Sequence, residues 1–153
     1  MTKPVRLLVD GDACPVKDEV YRVAERHGLH VVVVSNQWLR VPPSPMIERI
    51  VVEQGPDVAD DWIAERADDR DIVIASDIPL AARCVAKGAH VLRPDGRLFD
   101  ERSIGEIKAM RDLMTTLRET GTITTRNSAF SRRDRSAFLS ALDTLIVRLK
   151  KRS

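Results

Sequence analysis

The stretch "DIVIASDIPLAARCVAKGAHVL" (residues 71–92) reads as a strand, a helix and a strand in succession. Its opening run, "DIVIAS" (71–76), is β-branched and nearly continuous in apolar residues, as in a strand covered on both faces. "DIPLAARCVAKG" then carries helical spacing, with a proline in its first turn and Gly88 as its stop. "AHVLR" (89–93) returns to strand. Two apolar strands joined by a helix predict parallel neighbours with the helix lying on one face of the sheet.

The same grammar extends in both directions. "VRLLV" (5–9) reads as a buried strand, followed by a helix from about Pro15 to His27 with Gly28 as its stop, and "HVVVVS" (30–35) as a second buried strand. "NQWLRVPPSP" (36–45) is proline-rich loop. "MIERIVVEQG" (46–55) admits helix or strand, and the β-branched content of "RIVVE" favours strand. "PDVADDWIAERA" opens on Pro56 and three acids, which is a helix start. The predicted fold class is α/β, a three-layer parallel sheet with helices on both faces.

Beyond residue 92, "RPDGRLF" (93–99) predicts a tight turn at Asp95-Gly96 with a short return. A helix is expected from near Ser103 to about Glu119, ended by Gly121, and then a Thr/Ser/Arg-rich loop over 120–131. The final segment offers Ser131 as N-cap with Asp134 three residues on, and Phe138, Leu142, Leu145 and Leu149 at helical spacing. The expectation is a single domain, with a core over about 1–100 and C-terminal helices in a basic extension over about 101–153.

Composition narrows the class. A chain of 153 residues suits one hydrophobic core, and 43% apolar with 31% charged residues is ordinary for a globular protein. No apolar run approaches the roughly 18 residues of a membrane span. The N-terminus lacks the apolar core of a secretory signal, so the cytoplasm is the expected compartment. Two cysteines make no disulfide framework, and no bridge is expected. The net charge of +2 hides an asymmetry. Residues 1–101 carry 13 basic and 18 acidic side chains, and residues 102–153 carry 12 and 5. An acidic front and a basic rear suit a metal site beside a polyanion-binding surface, and amphipathic helices alone produce the same bias.

In an open parallel sheet, ligands gather at the carboxyl ends of the strands. Asp10 and Asp12 follow the first strand, Asp77 follows "DIVIAS", and Asp57, Asp60 and Asp61 open the helix between them. Carboxylates gathered from separate elements repel one another, so a hard divalent cation, Mg²⁺ or Mn²⁺, is the natural occupant. Each acid also has a simpler reading. Asp12 and Asp77 fit helix N-caps equally well. Asp57, Asp60 and Asp61 fall opposite the stripe of Val58, Ala59, Trp62 and Ile63, which by itself describes a solvated face.

These residues carry a resemblance. "LLVDGDA", "DVADDWIA" and "DIVIASDIPLAARCVAKGAHVL" resemble, in order and spacing, the PIN-like and flap-endonuclease superfamily of metal-dependent nucleases. From "DGDACPVK" through "ADDWIA" and "SDIPLA" to "SRRDRSAF", nearly the whole chain resembles the YaiI/YqxD family of uncharacterised bacterial proteins, to which a PIN-like domain is assigned. The resemblance implies a PIN-like domain and a metal-dependent nuclease or phosphodiesterase acting on nucleic acid, RNA favoured over DNA. It matches Asp10 to the first-strand acid, Asp60 and Asp61 to the paired aspartates of the helix, and Asp77 to the aspartate after the later strand. Where the nucleases have Glu before Ala-Asp-Asp, this chain has Val58, with Asp57 one residue earlier. Where flap endonucleases have a second Asp, it has Pro79.

The catalytic set implied is therefore Asp10, Asp60, Asp61 and Asp77 around one or two Mg²⁺ or Mn²⁺ ions, with Asp12 and Asp57 as further metal donors. Lys17 at the start of the first helix reads as a phosphate contact or as an exposed helix lysine. Asn36 and Ser76, near strand ends, are candidate ligand contacts. "TRNSAFSRRDR" (125–135) packs Arg126, Arg132, Arg133 and Arg135 into a loop and helix start suited to phosphate contacts, or simply a solvated helix start. Aromatics at 4% argue against base-stacking platforms.

Cys14 at a helix start invites a reactive-thiol reading, but a Cys-based phosphatase loop needs an arginine where Val20 stands; a small buried residue fits better. His27, His30 and His90 lack partners at zinc spacing. Two rivals remain. A catalytically inactive PIN-like module would bind RNA through its basic end, as Val58 and Pro79 allow. A haloacid-dehalogenase-like phosphatase would use Asp10 as nucleophile and Asp12 as acid/base, though its late acid pair would have to precede "SDIP" here.

Overall fold

A computed structural model describes residues 4–55, 57–100, 102, 103, 105 and 131–151. The expected helix beyond residue 105 and the loop carrying Arg126 lie outside the described residues. The elements run β1 (Arg6–Asp10), a 3-10 turn (Gly11–Ala13), α1 (Lys17–His27), β2 (His30–Ser35), β3 (Ile47–Val51), α2 (Val58–Arg66), β4 (Asp71–Ile74), α3 (Ile78–Ala86), β5 (His90–Leu92), β6 (Leu98–Phe99) and α4 (Arg132–Lys151).

The six strands form one sheet in the order β3-β2-β1-β4-β5-β6. The first five are parallel, and β6 turns back antiparallel on β5 through the expected Asp95-Gly96 turn. Gly96 has φ +90°, and a Cβ there would stand 2.7 Å from the Ala137 carbonyl oxygen, so glycine lets the turn press against α4. β2 and β3 are parallel neighbours joined by loop 36–46 without a helix. That loop takes the place of the usual helical crossover, and its Leu39 and Val41 pack on the core.

Alternating residues of the strands point into two cores. Leu7, Val9, Val31, Val33, Ile72 and Ile74 meet Val20 and Val23 of α1 and Phe138, Leu142, Ile146 and Leu149 of α4. Leu8, Val32, Val34, Val73 and Val91 meet Ile63 of α2 and Leu80, Ala81 and Cys84 of α3 on the other face. The fold is thus α/β in three layers, as expected. Among the described residues no helix is long and apolar enough to cross a membrane.

Two boundaries differ from expectation. Cys14 is held extended (φ −106°, ψ 109°), as a residue before proline prefers, and Val16 is still non-helical. Regular helix therefore begins at Lys17, two residues after Pro15. In β3, pairing of Ile47 with Val31 starts the strand two residues before "RIVVE". The capping box at α4 is present: Ser131 N–H donates to Asp134 at 3.0 Å, and Asp134 N–H donates to Ser131 Oγ at 3.2 Å.

At the amino edge of the sheet the Arg6 guanidinium grips Asp71 with Nε and Nη2 at 3.0 and 2.9 Å. Asp71 is 2% exposed and also accepts the Asp68 N–H at 3.0 Å. This fork aligns β1 with β4, whose far ends carry Asp10 and lead to Asp77. Arg6→Ala leaves a buried carboxylate without its cation and is expected to lower stability by about 2 kcal/mol, less than a fully buried pair because Arg6 is partly solvated. Urea unfolding measures this, and an unchanged midpoint would contradict the role assigned to the pair.

Candidate active site

β1 lies between β2 and β4, where the strand order reverses direction in the sequence, so the chain leaves β1 and β4 toward opposite faces and opens a crevice at their carboxyl ends. Asp10 is the last residue of β1. The strand stops there because Gly11 closes in on β2 and loop 36–46. A Cβ on Gly11 would stand 2.8 Å from Val33 Cγ1 and 2.9 Å from Leu39 Cδ1. Asp10 is consequently only 9% exposed, and its carboxylate accepts the Asp12 N–H.

The remaining acids arrive from other segments. Asp12, exposed in the 3-10 turn, accepts the Asn36 N–H at 2.8 Å. It caps no helix, which corrects one of its two readings; it ties the end of β1 to the end of β2. Asp77 is the N-cap of α3 and accepts the Leu80 N–H at 2.9 Å. Pro79, standing where flap endonucleases have an acid, sits in that first turn, where it has no N–H to satisfy. Of the expected stripe of Val58, Ala59, Trp62 and Ile63, α2 buries Ala59 and Ile63, and it adds Ala64. That rotation leaves Val58 and Trp62 half-buried and carries Asp60 partly out of solvent.

The electrostatics record this convergence. Burial pushes the Asp10 carboxyl up from 3.8 to about 6, and the charges of Asp60, Asp12 and Asp77 push the same way. Asp60 is also raised, first by burial and then by Asp77, Asp57 and Asp61, with Arg83 opposing. Asp12, Asp60 and Asp77 thus lie near enough to Asp10 for their charges to act on it, and Asp57 and Asp61 act on Asp60 in turn. Asp57 precedes α2 in a left-handed conformation, φ 68°, and Asp61 turns to Arg83 of α3 at 2.6 Å.

Among the described residues, no three of His, Cys, Asp and Glu converge closely enough to hold a metal ion between them. An all-protein cage is thus not what these donors build. Mg²⁺ does not require one, since it commonly keeps several waters and takes one or two carboxylates plus substrate phosphate. Asp10 and Asp60, whose carboxyls burial and neighbouring acids raise, are the carboxylates that such a hydrated ion would relieve.

The other expected contacts divide. The Lys17 ammonium turns back to the Gly11 and Cys14 carbonyls at 3.0 and 3.2 Å, clamping the turn. Asn36 bonds through its backbone, and Ser76 is exposed beside Asp77. Arg132 and Arg133 are exposed in the first turn of α4. Arg135 donates to the Pro15 carbonyl at 2.9 Å and to Glu19 at 3.2 Å. That bond sets the start of α4 against the start of α1, which follows the carboxyl end of β1. Cys14 and Cys84 are free and buried, and burial pushes both thiols up to about 11, so neither is a nucleophile at neutral pH.

A family model described as "Uncharacterized BCR, YaiI/YqxD family" matches residues 8–148. The chain belongs to this family. A UPF0178 protein of Gluconobacter oxydans is 63% identical over 153 residues, all of this chain and 87% of its own. One of Gluconacetobacter diazotrophicus is 62% identical over 149 residues, 97% of both chains. One of Rhodopseudomonas palustris is 59% identical over 149 residues, 97% of this chain and 91% of its own. No solved structure matches the chain.

Sequence reasoning missed Arg83, because its pairing with Asp61 joins two helices and leaves no spacing signal. It also missed Trp38 and Arg49, taken up below. The Asp10 shift gives a signed prediction. A carboxyl held at about 6 in the fold and near 3.8 when unfolded favours folding when protonated. Stability therefore falls as pH rises from about 4 to 6 and stays lowered above. Asp10→Asn is expected to be more stable than the parent at pH 7.5, by up to about 3 kcal/mol, with the gain vanishing below pH 4. Melts across that range decide it, and a variant less stable at pH 7.5 would contradict the assignment.

Proposed function

We propose that the protein is a divalent-cation-dependent phosphodiesterase acting on nucleic acid, RNA favoured over DNA. The observation that carries this reading is the grouping of four interacting carboxylates, with the arginine-bearing start of α4 set against the start of α1, which follows β1. An acidic crevice alone would repel a phosphodiester; basic side chains near it and a cation within it reverse that.

A bound Mg²⁺ or Mn²⁺ would polarise the phosphoryl oxygen and ease deprotonation of a water. Asp10 and Asp60 would hold it. Asp77 is held at the start of α3 by the Leu80 N–H, beside the end of β4. Asp12, fixed by the Asn36 N–H, lies positioned to accept a proton or a hydrogen bond from water at the open side. Arg132 and Arg133 hold the strand's phosphates without reading bases. Asp61 pairs with Arg83, whose charge offsets part of the repulsion on Asp60.

Purified protein with Mn²⁺ is expected to cut single-stranded RNA, with kcat lowered at least about a hundredfold by Asp10→Asn or Asp60→Asn. Arg132→Ala and Arg133→Ala are each expected to weaken binding evenly across sequences and to lower the salt dependence by about one charge. Salt-dependent binding with no cleavage under Mg²⁺ or Mn²⁺ would overturn the enzyme in favour of a nucleic-acid-binding module.

A further inference from the structure

The loop after β2 is anchored to the acidic turn on both sides of a single exposed aromatic. Asn36 N–H donates to Asp12 at 2.8 Å, and Leu39 packs over Gly11 closely enough to exclude any side chain there. Buried Ser35 donates through its hydroxyl to the Gln37 carbonyl, stiffening the exit from the strand. Trp38 sits between these anchors and is 64% exposed.

Its ring is held from one side. The Arg49 guanidinium of β3 lies 4.3 Å from the indole centroid, and Arg49 Nη1 donates to the Leu39 carbonyl at 3.3 Å. The arginine is thus bonded to the same loop that it stacks on, which fixes the ring before any ligand arrives. Gln37 and Arg40 on either side of it in the loop are exposed and polar, so charge and hydrogen-bonding groups border the ring. A lone, prefixed aromatic face with cations around it matches one flat, uncharged ring carrying a phosphate.

We propose that Trp38, backed by Arg49, is a stacking platform for one unpaired base of a single-stranded nucleic acid whose phosphates run past the Asp10 crevice. This deepens the phosphodiesterase reading and rests on it for the choice of nucleic acid. Paired bases in a duplex have no free face to offer, so the platform selects single strands. Stacking tolerates any base, and Arg40 supplies charge for the neighbouring phosphate. Scarce aromatics are no obstacle, because one base needs one ring.

The test uses a short oligouridylate and a duplex of equal length, with Ca²⁺ in place of Mg²⁺ or Mn²⁺ so that the crevice's charge is offset while cleavage is suppressed. In a Trp62→Phe background Trp38 is the sole tryptophan, and its emission is expected to be quenched by the single strand and not by the duplex. By anisotropy, Trp38→Ala in the otherwise native chain is expected to bind the single strand about tenfold more weakly, while Trp38→Phe stays within about threefold. Both variants are expected to melt with the parent, since the ring is exposed. Single-strand affinity unchanged in Trp38→Ala, equal duplex binding, or no binding would overturn the platform. Trp38-dependent binding without Mn²⁺-dependent cleavage would support the platform and overturn the phosphodiesterase.

Discussion

β1 pairs in parallel with β2 on one side and β4 on the other, and this central position constrains everything at the site. Parallel register aligns the strands' carboxyl ends, so residues that follow β1, β2 and β4 must emerge at one edge. Asp10, the Asp12 turn, Asn36 and Asp77 all do. Helices on opposite faces then hold the edge open as a crevice. The acids are neighbours because the topology leaves them nowhere else to go.

That neighbourhood costs stability, since burial and like charge both act against ionised Asp10. The ties that oppose it lie elsewhere. Arg6 and Asp71 lock β1 to β4 at the opposite edge, and Arg70 donates to the Leu149 carbonyl at 2.8 Å, fastening the end of α4 there. His27 bonds Asp143 at 2.7 Å and Lys150 donates to the His27 carbonyl, so α4 follows α1 along its length. Those contacts hold α4 in register with α1, with exposed Arg132 and Arg133 in its first turn. A rigid frame thus carries a crevice that a cation would relax.

Elements with a local signature were legible in the sequence. The buried strands showed as continuous apolar runs, the α4 stripe as Phe138, Leu142, Leu145 and Leu149, and its start as Ser131 with Asp134. The convergence of Asp10 and Asp77 followed from strand ends in a parallel sheet. What failed to show depended on contacts between distant segments. Asp60 faces inward because α2 rolls onto Ala59, Ile63 and Ala64, and Asp61 faces outward because Arg83 on a different helix meets it. Lys17 and Arg135 carry phosphate-binding chemistry in isolation, yet nearby carbonyls use their hydrogens. Trp38 was one residue among few aromatics until the loop's anchors put it beside the acidic turn.

Asp10 feels the charges of Asp60, Asp12 and Asp77, and a divalent cation bound beside it would displace its proton. Carbon-detected NMR titration of the Asp10 carboxyl, with and without Mg²⁺, tests this directly. The account predicts a midpoint near about 6 in the metal-free protein, moving down once Mg²⁺ is added. A midpoint at the ordinary aspartate value of about 4, unmoved by Mg²⁺, would contradict it.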